Sequence, residues 1–290
     1  MNPPARGTPR PSLDDHAKTR ARGSEMSQPI STTWGQGEVY DRYMGRWSRP
    51  VAREFLDWLA APAGLRWLDV GCGTGALAET ILSRAAPEQV TGVDPAAGFV
   101  EHARKSVADP CARFEVGDAQ QLPFEDRSFD AVVSGLALNF VPDPLMALGE
   151  MRRVARPGGV VAVYLWDYAG RMEFLRRFWD AAFALREEAV THDEGRRFPL
   201  CHPDALDAAA RAAGLADVVI RAIEVATDFT DFDDYWTPFL SGQAPAPGYV
   251  ATLSPADREA LRERLRITLP AAPDGSIRLV ARAWAVRGRN

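Results

Sequence analysis

The chain has 290 residues, 46% of them hydrophobic and 25% charged, with a formal net charge of -5. That balance suits one large α/β domain or two small ones around a buried core, and it offers no general attraction to nucleic-acid backbones or anionic lipid. Three widely spaced cysteines (Cys72, Cys111, Cys201) speak against a disulfide framework or a zinc cluster and for a reducing, cytoplasmic setting, and no apolar run approaches the roughly 18 residues of a membrane span.

Residues 1–28 are rich in Pro, Arg, Gly and Ser, lack the apolar segment of a secretory signal and read as a disordered leader, with Met26 an alternative start. Residues 29–290 read as one domain. Apolar residues recur at helical spacing over 48–60, with Ser48 as candidate N-cap and Pro50 in the first turn. A short strand, LRWLDV (65–70), ends at a glycine cluster and is followed by a helix over 75–86. The pattern repeats: strand 89–94, helix 96–108, strand 112–118, strand 128–135, helix 144–155, strand 158–166. Two amphipathic helices follow at 172–190 and 202–215, then a strand at 216–227. Residues 228–270 hold aromatics, a loop (SGQAPAPG) and a charged helix over 255–266, and a last strand spans 276–286. Strands alternating with helices at this spacing imply parallel βαβ units and an open, doubly wound sheet.

The stretch WLDVGCGTG (67–75) is the most informative. A strand that ends in Gly71, Gly73 and Gly75 and turns into a helix lets backbone approach a ligand closely. Gly71, Gly73 and Ala76 also satisfy the G-x-G-x-x-A form used for dinucleotides, so the loop alone leaves the ligand open. Asp69, two residues before the first glycine, opposes a pyrophosphate but suits the ammonium and sulfonium of S-adenosylmethionine (SAM). Asp94 ends the second strand, where a carboxylate accepts from both ribose hydroxyls of either ligand. Asp118 ends the third, where it can accept from an adenine amino group while the Ala119 amide reaches a ring nitrogen. Three carboxylates at three successive strand ends are more than turn chemistry accounts for.

The ordered set WLDVGCGTG, VTGVDPA, FEVGDAQQLPFEDRSFDAVVSGLALNF and MRRVARPGGVVAVYLW resembles the class I SAM-dependent methyltransferases, small-molecule branch, which includes the ubiquinone/menaquinone-biosynthesis enzymes. The match covers about residues 65–166 in order and spacing. It implies a Rossmann-like, seven-stranded, mostly parallel sheet whose last strand runs antiparallel, SAM as cofactor, and methyl transfer to an O, N or C nucleophile of a small molecule. The implied roles place the methionine moiety on Gly71 and Gly73, ribose on Asp94 and adenine on Asp118, with Pro95 and Ser134 completing the cofactor-facing set. The segment EVYDRYMGRWSR (38–49) is similar to the amino-terminal cap of such enzymes, so Tyr40 and Arg46 are candidates to cover SAM, Arg46 by pairing with its carboxylate. Segments 34–60, 167–202 and 228–270 are the expected lid and substrate regions.

Related enzymes often carry Leu-His after the fourth strand, whereas this chain has Leu138-Asn139, which puts acid–base help from that position in doubt. No catalytic residue is assigned. Cys72 needs only to be small, and His192 and His202 read as loop histidines. Asp167 and Tyr168 are expected on the active edge, and Ser134 and Tyr168 replace the metal-binding pattern of magnesium-dependent relatives, so no metal site is expected. The alternatives are an NAD(P)-dependent oxidoreductase, disfavoured by Asp69 and because neither lysine (Lys18, Lys105) is near a strand end, and a non-catalytic SAM-binding module. Neither a nucleic-acid partner nor a particular oligomer is expected from the motifs.

Overall fold

The computed structural model describes Met1, residues 45–242 and residues 244–290. Its frame is a seven-stranded sheet: β1 (Arg66–Val70), β2 (Gln89–Asp94), β3 (Ala112–Val116), β4 (Phe129–Gly135), β5 (Ala155–Trp166), β6 (Ala216–Phe229) and β7 (Ile277–Arg289), in spatial order β3-β2-β1-β4-β5-β7-β6. The first five strands pair in parallel, and β7 inserts antiparallel between β5 and β6. The order reverses between β1 and β4, which opens a crevice beyond their carboxyl ends. Because β6 is parallel to β5, the chain between β6 and β7 also lies on that edge.

The longer helices among the described residues are α1 (Arg46–Leu59), α2 (Ala76–Arg84), α3 (Ala97–Ser106), α4 (Pro144–Val154), α5 (Glu173–Leu185), α6 (Pro203–Ala212), α7 (Pro245–Thr252) and α8 (Pro255–Thr268). Starts follow local chemistry. Asp143 caps α4 by accepting from the Met146 amide at 2.9 Å, and Ser254 caps α8 by accepting from Asp257 at 3.1 Å, each with Pro at the first helical position. The core fills both faces of the sheet, with Trp67, Leu68, Val132, Val163 and Leu165 fully buried. Among the described residues no helix is long and apolar enough to cross a membrane.

Two local expectations are corrected. Ser48 is not an N-cap: the helix begins at Arg46 after a Gly45 already in helical conformation, so Ser48 is a buried residue of its first turn. Much of SGQAPAPG is not loop either, since Pro245–Thr252 forms α7, with Pro245 and Pro247 tolerated where a first turn lacks amide partners. Aromatics of α5 and of the segment between β6 and β7 pack as core. Phe178 stacks on Phe239 (4.4 Å), Phe174 on Phe239 (4.7 Å), and Trp179 meets Tyr249 (5.5 Å), which ties α5 to the segment between β6 and β7.

Candidate active site

A cavity of about 510 Å³ opens at the carboxyl ends of β1 to β5. Its wall contains Asp69, Gly71, Gly73, Asp94, Pro95, Asp118, Ala119 and Ser134, so eight of the ten candidate cofactor residues come together in one place. Of the other two, Tyr40 lies outside the described residues. Arg46 is not brought to the cavity: its guanidinium pairs with Asp234 at 2.9 Å and packs over the rings of Trp47 (4.8 Å) and Phe229 (4.5 Å). A partner 188 positions away in the chain could not be read from the local motif.

The glycine loop owes its shape to three residues in the left-handed region, Gly71 (φ +74°), Gly73 (φ +52°) and Gly75 (φ +92°). A side chain at Gly71 would also collide with Ala137. The loop is tied to the neighbouring strand, because the Gly71 and Cys72 amides donate to the Val93 carbonyl at 2.8 and 3.0 Å. Asp94 adds a third tie: one carboxylate oxygen accepts from the Gly73 amide (3.0 Å) and the other from Ala96 (2.9 Å). Burial raises the Asp94 pKa, and these two amides oppose the rise. The residue is therefore a strand-end cap and a loop anchor at once, with lone pairs left over.

Asp69 is different. Its side chain is buried and, among the described residues, neither oxygen has a hydrogen-bond partner. Burial, with the nearby Asp94 charge adding to it and the approach of the Ala78 amide opposing it, pushes its carboxyl up to about 8. A buried acid without a donor is costly unless a ligand completes it, and the ligand group this geometry lacks is a cation. The residues present fit the ammonium-bearing end of SAM on that ground. Asp118 is exposed at the other end of the row, where it accepts from the Gln120 amide at 2.9 Å.

Several wall residues carried no sign of a ligand role in the sequence: Ser48 from α1, Phe99 from α3, Tyr164 from β5, and Leu136, Leu138, Phe140 and Val141 after β4. Only the alternation of β5 and the exposure of its end to the same edge could have pointed to Tyr164. Asp167 and Tyr168 do not line the cavity. Asp167 is buried against Arg282 (2.6 Å) and accepts from the Gly170 and Arg171 amides at 3.0 Å, a structural role. Cys72 does line the wall, but burial together with Asp69 and Asp94 pushes its thiol up, the wrong direction for a nucleophile. His192 packs at a tilt against Tyr249 at 5.5 Å, and neither it nor His202 reaches the cavity. Asn139 sits in the short 3-10 turn after β4 with its amide nitrogen buried and unpartnered, next to the wall without forming part of it.

A mostly parallel sheet with this strand order and a crevice at its reversal defines an α/β protein of the Rossmann-like class. Residues 68–163 match the methyltransferase domain family. The demethylmenaquinone methyltransferase of Staphylococcus aureus is 31% identical over 188 residues, covering 61% of this chain and 76% of that protein. Among solved structures, the YcgJ protein of Bacillus subtilis shares the fold with a TM-score of 0.54 at 19% identity, covering 83% of this chain and 98% of that one. The phosphoethanolamine N-methyltransferase 2 of Haemonchus contortus, solved with SAM, gives 0.55 at 18% identity, covering 87% of this chain and 56% of that one. The chain belongs to the SAM-dependent methyltransferases. It is an enzyme that moves a methyl group from SAM to a small molecule, and the oxidoreductase alternative falls.

Proposed function

We propose that the cavity seats SAM with its methionine end at β1 and its adenine end at β3, and that the acceptor meets the methyl group beyond β4. The observation that carries this is the Asp69 carboxyl, buried in the wall and, among the described residues, without a donor to either oxygen. The α-ammonium is its counterpart, Gly71 and Gly73 let the backbone approach the methionine moiety, and Ser134 borders it. Asp94 holds the ribose hydroxyls with the lone pairs its amide partners leave free, Pro95 shapes the turn beside it, and Asp118 with the Ala119 amide reads adenine. Residues 29–290 act as one domain, in which 167–202 and 228–270 cover the strand ends on the acceptor side.

Bound SAM supplies a methyl group on a sulfonium that is already a good leaving group. The chain's part is to fix that group against the nucleophile, an oxygen, nitrogen or carbon, and to exclude water with Leu136, Leu138 and Phe140. A wall this apolar, together with the name of the Staphylococcus relative, favours an apolar, aromatic acceptor of quinol type. The net charge of -5 argues against a nucleic-acid acceptor, and three free cysteines suit the cytoplasm. Calorimetry with SAM, S-adenosylhomocysteine, NAD and NADP tests the reading. Binding of the first two and not the dinucleotides is expected; tight NAD binding without SAM heat overturns it.

A further inference from the structure

Among the described residues the carboxylate of SAM's methionine has no cationic donor assigned, because Arg46 is committed to Asp234. Among the described wall residues there is no Lys or Arg. Strand register shows which side chains share the Asp69 face. Asp69 pairs with Val133 on β4, and Gly135, two residues on, pairs with Tyr164 on β5. Alternate residues point to one face, so Asp69, Gly135 and Tyr164 look the same way. Helix α1 lies over that face: Phe55 packs against the Tyr164 ring at 4.6 Å, and Ser48 enters the cavity wall. The phenol reaches across the end of β4, because a Cβ built on Gly135 would stand 2.5 Å from its oxygen. Glycine at 135 is thus the condition for the hydroxyl to reach that place.

The distances suit one ligand group. With strands about 4.8 Å apart and a rise of about 3.3 Å per residue, Gly135 stands about 8 Å diagonally from Asp69. The ammonium and carboxylate of an α-amino acid sit on one carbon, so a group holding the carboxylate falls about two hydrogen-bond lengths plus that short span from the acid holding the ammonium. We propose that the Tyr164 hydroxyl binds the methionine carboxylate of SAM and makes the site selective for the intact amino-acid moiety. This rests on the reading of Asp69 as the ammonium partner. A neutral donor to a carboxylate forms a charge-assisted hydrogen bond, enough for about tenfold to a hundredfold in affinity.

Four ligands separate the possibilities: SAM, S-adenosylhomocysteine, decarboxylated SAM (which keeps the ammonium and sulfonium) and 5′-methylthioadenosine (which has no amino-acid moiety). Tyr164→Phe keeps the ring packing on Phe55, and a ligand-free melt checks its fold. It is expected to bind SAM and S-adenosylhomocysteine at least about tenfold more weakly, and the two ligands without a carboxylate as the parent does. Gly135→Ala, which displaces the phenol, is expected to show the same pattern. Equal losses for all four ligands, or unchanged SAM affinity with slower turnover, would overturn the proposal and leave the SAM reading intact. Failure of the parent protein to bind SAM at all would remove both.

Discussion

Asp69 combines two properties that pull against each other. Its carboxyl sits out of solvent with no donor among the described residues, so in the ligand-free protein it is held largely protonated at neutral pH. A group whose folded pKa is raised from 3.8 to about 8 contributes stability that is fully present below the lower value and lost as pH rises through the upper one. The ligand-free protein is therefore expected to melt progressively lower from pH 6 to pH 9, and Asp69→Asn, which cannot ionise, should flatten that slope and melt several degrees above the parent at pH 9. Binding runs the other way, because the ammonium requires the ionised form. Parent SAM affinity should climb up to about tenfold per pH unit between pH 6 and 7.5, and Asp69→Asn should bind weakly with no such climb. A pH-independent parent affinity, measured by calorimetry across that range, would contradict the assignment. The same residue explains why the sequence was legible here: a strand-end acid before a glycine loop has few purely structural uses. The ion pairs of Arg46 and Asp167 were not legible in the same way, because their partners, Asp234 and Arg282, are brought to them only by the fold.

At the scale of elements, the strand-to-loop junctions of β1 and β2 form one unit held by Asp94. Its bonds to Gly73 and Ala96 mean that Asp94→Ala loses more than ligand contacts. Two ribose hydroxyls on one carboxylate, at about 1.5–3 kcal/mol each, predict a loss in SAM affinity on the order of a hundredfold or more. The two amides left without acceptors add a stability cost of about 1–3 kcal/mol, so the variant should also melt early. Asp94→Asn retains one acceptor and should fall between on both measures. An Asp94→Ala protein that melts early yet binds SAM like the parent would make the residue a cap alone. Elements with strong periodicity were readable to within a few residues, as β2 and α4 illustrate. Misreadings fell where a rule has a positional exception: prolines at 245 and 247 open a helix rather than break one, and β5 begins at Ala155, three residues before the strand read from the sequence, where Ala155 pairs with Phe129 of β4.

For the whole molecule, strand order is what turns scattered motifs into a site. Asp118 follows β3, and Asp94 and Asp69 belong to β2 and β1, strands adjacent in space in that order, while Ser134 and Tyr164 continue the row on β4 and β5. The sequence made the first three visible through their motifs. The continuation needed the register between β4 and β5, which no spacing in the chain encodes. The most direct measurement is a crystal structure with S-adenosylhomocysteine bound. The account predicts the adenine beside Asp118 and Ala119, both ribose hydroxyls on Asp94, and the ammonium on Asp69 with the carboxylate turned to Tyr164. A ligand seated away from Asp94, or an amino-acid moiety pointing away from Asp69, would contradict it.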